Sequence, residues 1–210
     1  MRSFLSKEGA WVDFVFFFLC TCILLLMSSK RLFLAIPLSD QWKRYIQDWV
    51  ITQPNYFPWI PPDYWHITVQ YIGEVSEDDI PAMVDEIRTI AATQPEFFLH
   101  FMNICVFRFH EPPMIWAKVK ESDPFEELVK HCTQTTDLYM QGIPDRRKSK
   151  PHITLAKLAG EYDCTRLKFP DSRPPFAMMH VREIELWESY IDTDKRRKYR
   201  SLEKFGLKSN

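Results

Sequence analysis

The chain carries almost no net charge: 27 basic residues against 28 acidic ones leave −1 over 210 residues. No global field therefore draws it to nucleic acid, and any binding of phosphates must come from local basic groups. Its five cysteines, Cys20, Cys22, Cys105, Cys132 and Cys164, are odd in number and lack zinc-finger spacing. They define no disulfide framework, which fits a reducing compartment. Cys20 and Cys22 fall in an apolar run, where a thiol behaves as a small hydrophobe. The histidines contain no His-Glu-x-x-His pair, so that metal signature is missing. What is present, 46% hydrophobic and 26% charged residues, is ordinary for a globular protein long enough to bury a real core.

A full membrane span is missing as well. Phe14 to Met27 is apolar except for Thr21, 14 residues where a helical span needs about 20. Extension back to Ala10 takes in Asp13, which is costly in hydrocarbon. As a signal peptide the segment balances Arg2 and Lys7 with Glu8 and Asp13, and no clear small-x-small cleavage site follows. Residues 1–27 thus have three readings: a membrane anchor or signal through residues 10–27, an apolar helix packed on the body, or a stretch translated only because an upstream start codon was chosen. Met27-Ser28-Ser29-Lys30 resembles a natural beginning just before the first strand, which favours the third reading and a cytoplasmic protein. Residues 28–210 then form a single domain.

Arg31 to Ile36 reads as a strand stopped by Pro37, and Ser39 as the cap of a helix to about Val50. Trp42, Tyr45, Ile46 and Trp49 fall on one face of that helix. Residues 53–65 hold four prolines and five aromatics and read as a loop. A strand from His66 to Ile72 ends at Gly73. Ser76 is expected to cap a helix to about Thr93, with Ile80, Val84, Ile87 and Ala91 as its apolar stripe. Strands are expected at 97–104 and 114–119. A helix from Ser122 or Asp123, with Pro124 at its first position, is expected to close at Gly142, with Phe125, Leu128, Val129, Cys132 and Leu138 as its core face. A strand follows Pro151, a proline-rich loop covers 170–175, and 181–190 and 199–207 read as further extended segments.

Two of these strands nearly repeat each other: His66-Ile67-Thr68-Val69 and His152-Ile153-Thr154-Leu155. Successive strand side chains alternate faces, so each His shares a face with its Thr. Each strand follows a helix and an ordered connection, which suggests two similar α+β lobes with a cleft between them. Brought together, the strands offer two imidazoles and two hydroxyls. An imidazole titrates near 6.5, so at neutral pH one can accept a proton while the other donates one. A phosphodiester cleaved by water needs that pair on opposite sides of phosphorus, and the threonine hydroxyls can donate to its non-bridging oxygens. The scheme requires no metal and no cofactor. A lone His-x-Thr is usually structural; two copies in corresponding strands argue for function. His100, His110, His131 and His180 have no such pairing and read as surface or core residues.

These motifs resemble the 2H phosphoesterase superfamily, and within it the bacterial RNA 2′,3′-cyclic phosphodiesterases, also called 2′-5′ RNA ligases or the LigT-like family. Residues 31–36 are similar to that family's opening strand, His66 to Val75 with its Gly73-Glu74 turn to its first motif, and Pro151 to Leu155 to its second. Ile184 to Ser189 with Tyr199 to Leu202 resembles its closing hairpin. The resemblance implies an α+β fold of two pseudo-symmetric lobes, each an antiparallel sheet with helices packed outside. It implies opening of RNA 2′,3′-cyclic phosphate ends to 2′-phosphates without metal, with reversible 2′-5′ ligation as a companion activity, and the chain is expected to act as a monomer. His66, Thr68, His152 and Thr154 fall on the catalytic positions. Three residues after Thr154 the family often has arginine; here Lys157 keeps the charge and loses the bidentate fork.

Two basic runs fit an RNA partner, Asp145 to Lys150 and Lys195 to Lys198, since such runs can track a phosphate backbone. Tyr56, Phe57, Trp59, Tyr64 and Trp65 can stack on unpaired bases, or equally plug a lobe. The competing functions are a 2H enzyme acting on a small cyclic nucleotide or on 2′-5′ oligoadenylate, and an RNA-binding module without catalysis.

Overall fold

The computed structural model describes residues 28–142, 149–170 and 177–209. Eight strands form one antiparallel sheet: β1 (Ser29–Pro37), β2 (His66–Ser76), β3 (Phe97–Phe107), β4 (Met114–Val119), β5 (His152–Lys157), β6 (Met178–Val181), β7 (Glu183–Ile191) and β8 (Arg197–Gly206). Three helices join them: α1 (Asp40–Val50), α2 (Ile80–Thr93) and α3 (Asp123–Thr136). The strand order is β6-β3-β4-β5-β2-β1-β7-β8, so the two His-x-Thr strands lie side by side at the centre. Four strands on each side make the two lobes, and β5 meets β2 in register through a single pair, Ile67 opposite Ile153.

The lobes correspond through β1-α1-β2 and β4-α3-β5, each an antiparallel strand pair joined by a helix. The second lobe takes its remaining strands, β3 and β6, from the same stretch of chain. The first is completed by the C-terminal hairpin β7-β8. The helices lie on one face of the sheet, where the large apolar core sits. Trp42, Ile46 and Trp49 of α1 are buried, and Trp42 meets Phe101 of β3 edge-on at 5.4 Å. Helix α3 packs on β2, where its Thr133 hydroxyl donates to Gln70 at 2.9 Å, and α2 packs on α3 and β8.

Several local expectations are corrected. Ser39 does cap α1, accepting from the Trp42 N–H. Ser76, expected to cap the next helix, is instead the buried last residue of β2; the strand continues through Gly73, whose φ of +91° suits glycine, and α2 starts at Ile80 after Asp79. Helix α3 stops at Thr136, ahead of the expected Gly142, and leaves Leu138 exposed. The chain then turns back, and the Gln141 N–H donates to the Glu74 carbonyl. The 181–190 strand is two strands that join different lobes, β6 on β3 and β7 on β1. The aromatic loop largely plugs the core: Phe57 and Trp65 are buried, and the Ile60 N–H donates to the Leu155 carbonyl of β5. The 1–27 segment, residues 145–148 of the first basic run and 171–175 of the proline-rich loop lie outside the described residues. No described helix is long and apolar enough to cross a membrane.

Candidate active site

The sheet face opposite the helices carries the motifs. Ile67 and Ile153 are fully buried in the core, so the residues flanking them, His66, Thr68, His152 and Thr154, turn outward. The antiparallel register at Ile67 and Ile153 sets His66 beside Thr154 and Thr68 beside His152. The two histidines are then diagonal partners, about 7–8 Å apart in sheet geometry. All four residues line one cavity of about 430 Å³, together with Phe33, Tyr64, Tyr71, Lys157, Ser189, Arg197 and Tyr199. Its lining contains two cations and no carboxylate, the environment of an anion. Among the described residues no three His, Cys, Asp or Glu side chains cluster as a metal site would need.

Both imidazoles are fixed in the same way. His66 Nδ1 lies 2.7 Å from the carbonyl of Tyr64, and His152 Nδ1 lies 2.7 Å from the carbonyl of Lys150. A carbonyl only accepts, so Nδ1 carries the hydrogen in each ring and Nε2 is left for chemistry. The ring surroundings differ. His66 sits in an aromatic enclosure of Phe33, Trp187 and Tyr199, with centroids 4.9, 5.2 and 5.9 Å away. His152 stacks flat on Trp116 at 3.6 Å, and Phe107 backs Trp116 at 3.7 Å. Burial lowers the pKa of both. His66 falls to about 4, with the nearby His152 and Lys157 also pushing it down and the Tyr64 carbonyl partly opposing. For His152 burial dominates and His110 adds to the fall.

Lys157 reaches the cavity because of a backbone irregularity. On a regular strand the residue five after a His points to the other face. Between β4 and β5, Ile115 pairs with Ala156 and Trp116 with Thr154, so Leu155 is extra and both Leu155 and Ala156 are buried. This bulge returns Lys157 to the face of His152 and Thr154. Strand β2 has the same irregularity: Leu34 pairs with Gln70 and Ala35 with Thr68, so Val69 is extra and Tyr71 turns outward. Tyr71 is thus the first lobe's counterpart of Lys157. The sequence reading missed it, although both His-x-Thr segments hold a polar side chain at the fifth position after the His. It also missed Ser189 and Tyr199 as lining residues, and it singled out Arg197 only as part of a basic run. Of the five loop aromatics, Tyr64 lines the cavity.

A single curled antiparallel sheet with two His-x-Thr strands at its centre, opening on one anion-suited cavity, is the arrangement that the resemblance to the LigT-like family implies. Residues 37–192 match the family described as the 2′-5′ RNA ligase superfamily, and the chain belongs to it. It is 26% identical over 186 residues to a Geobacillus stearothermophilus protein named RNA 2′,3′-cyclic phosphodiesterase, a match that covers 86% of this chain and 58% of that relative. It is 24% identical over 178 residues to the protein of the same name from Bacillus subtilis strain 168, covering 83% of this chain and 95% of that one. Among solved structures, E. coli LigT complexed with NADP+ superposes with a TM-score of 0.67 at 22% identity, covering 86% of this chain and 99% of LigT. A structure from Thermus thermophilus gives 0.71 at 22% identity, covering 85% of this chain and 98% of that one. These two likenesses are of fold.

Proposed function

We propose that this protein hydrolyses RNA 2′,3′-cyclic phosphate ends to 2′-phosphates, with His66 and His152 forming a pair of which one is the general base and the other the general acid. The observation that carries this reading is the matched pair of imidazoles, each held by the carbonyl two residues before it with Nε2 left for chemistry, on diagonal positions of one cavity. The name shared by the two curated relatives supports the substrate class.

In this reading one Nε2 takes a proton from water as the water oxygen bonds to phosphorus. The P–O3′ bond breaks, and the other imidazolium gives its Nε2 proton to O3′. The products are a 2′-phosphomonoester and a free 3′-hydroxyl, and protons and charges balance. The two histidines exchange their proton load over the cycle, so a proton moves between them through water before the next turn. Thr68 and Thr154 donate to the non-bridging oxygens, where charge accumulates. Lys157 adds a fixed positive charge. Burial, which favours the neutral form of both rings, is opposed when a phosphate anion enters, because the anion favours an imidazolium. A 5′-hydroxyl in place of water gives a 2′-5′ linkage by the same steps.

Incubation with a 2′,3′-cyclic-phosphate oligonucleotide in the presence of a chelator, followed by mapping of the product end, tests the reading. A 2′-phosphate end is expected. No turnover, a strict metal requirement or a 3′-phosphate product overturns it.

A further inference from the structure

The C-terminal hairpin β7-β8 is rich in cations, and their partners sort them. Lys198 is ion-paired with Asp192, and Arg200 contacts Glu188 at 2.7 Å. Lys204 contacts Glu185 at 2.9 Å, and Arg88 of α2 reaches Glu203 at 3.2 Å. Arg197 differs from these. Its Nη1 donates to the Ser189 hydroxyl at 2.8 Å, no carboxylate of the described residues pairs with it, and it lines the cavity that holds both histidines. One of its five N–H donors is used on Ser189, which fixes the group's position without neutralising it. Its neighbours Lys195, Arg196 and Lys198 do not line the cavity.

Arg197 also sits to one side of the reacting centre. Strand β8 is three positions from β2 in the sheet, and neighbouring strands are about 4.8 Å apart. Counted along the curled sheet, its backbone is therefore roughly 14 Å from the His66 strand by that spacing. Thr68, Thr154 and Lys157 already surround the centre from β2 and β5. A guanidinium that enters from the rim of a cavity without carboxylates suits a second anion beside the first. In an RNA end that anion is the phosphodiester joining the terminal nucleotide to the rest of the chain.

Resting on the function proposed above, we propose that Arg197, steadied by Ser189, binds the phosphodiester adjoining the cyclic phosphate, and so selects oligonucleotide ends over nucleoside 2′,3′-cyclic phosphates. A guanidinium matches phosphate geometry with two parallel donors, which lysine at the same place cannot reproduce.

The test compares kcat/KM on a trinucleotide ending in a 2′,3′-cyclic phosphate with that on a nucleoside 2′,3′-cyclic phosphate, for wild type, Arg197→Gln, Arg197→Lys and Arg196→Gln. Wild type should prefer the trinucleotide. Arg197→Gln should shrink that preference by about ten- to a hundredfold, the range of one charge-assisted contact, and the change should lie in KM. Arg197→Lys should fall between, and Arg196→Gln should keep the wild-type ratio. The salt dependence of binding to the trinucleotide should weaken by about one unit of slope in Arg197→Gln. An unchanged ratio in Arg197→Gln, equal losses on both substrates, or an equal effect of Arg196→Gln overturns the proposal while leaving the proposed function intact. Absence of turnover by wild type on both substrates removes the proposed function, and this assignment with it.

Discussion

Acidification should destabilise this protein through His66 by an amount that can be isolated. The ring ordinarily titrates at 6.5 and is held at about 4 in the fold, chiefly by burial among Phe33, Trp187 and Tyr199. Above pH 6.5 the ring is neutral in both folded and unfolded chains, and it has no effect on the balance. Between 6.5 and 4 the unfolded chain binds the proton and the folded chain does not, so stability falls as pH falls. The full shift is worth about 3 kcal/mol, and about 2.5 kcal/mol of it is lost by pH 4.5. Carboxylates add losses toward the acidic end, Asp192 through its hydrogen bond from Lys198 among them, and His152 adds its own. The measurement is therefore a difference. His66→Asn keeps a donor for the Tyr64 carbonyl and has nothing to titrate. Urea unfolding of wild type and variant at pH 7.5 and pH 4.5 gives two stability losses, and wild type should lose about 2.5 kcal/mol more. With a denaturant slope of about 2 kcal/mol/M, that is a relative midpoint shift of roughly 1 M. Equal losses in the two proteins would refute burial of an un-ionised His66.

Three further outcomes follow from particular contacts. His66→Ala and His152→Ala should each lower kcat on a cyclic-phosphate oligonucleotide by about 10²–10⁴-fold while the folded protein survives, as measured by turnover beside circular dichroism; activity within tenfold of wild type for either would remove that ring from the chemistry. Trp116→Ala uncovers the face of His152, so the His152 pKa should rise toward 6.5, read by NMR titration of the ring, and no rise would show that burial is not what holds it down. Gly73→Ala has room for its methyl group, the nearest atom being Met140 Cε at 3.6 Å, yet φ is +91°; the cost should be about 1–2 kcal/mol by thermal unfolding, all of it from the backbone.

What could be read from the chain follows the range of the interactions involved. The faces of α1, the Ser39 cap and the pairing of each His with its Thr are set within a few residues, and the structure places them as read. The start of α2 and the end of α3 were misplaced because β-sheet pairing outweighed local signals. Ser76 is a good helix cap in isolation, but β2 continues through it, paired with Ser29 of β1. Leu138 fits the α3 stripe, yet the chain leaves the helix before it to reach Glu74. The contribution of β7 and β8 to the cavity was not legible, since no local pattern says that the C-terminal hairpin closes the first lobe beside β1. Ser189 and Tyr199 reach the site only through that pairing.

The two bulges explain why a motif of alternating residues ends in a polar group that alternation would bury. Without the extra Leu155, Lys157 would point into the apolar core, where an unpaired ammonium is expensive. Without the extra Val69, Tyr71 would do the same. One irregularity, present in both lobes at the third residue after the His, makes the cavity three side chains deep on each central strand. The two strands then differ where the bulge delivers its residue. The second lobe presents an ammonium and the first a phenol, so at the bulge positions the fixed charge comes from β5, and the first lobe's cation in this cavity enters from the rim as Arg197. The backbone supplies two equivalent halves, and the side chains at these positions give the cavity a direction along which an asymmetric substrate can lie.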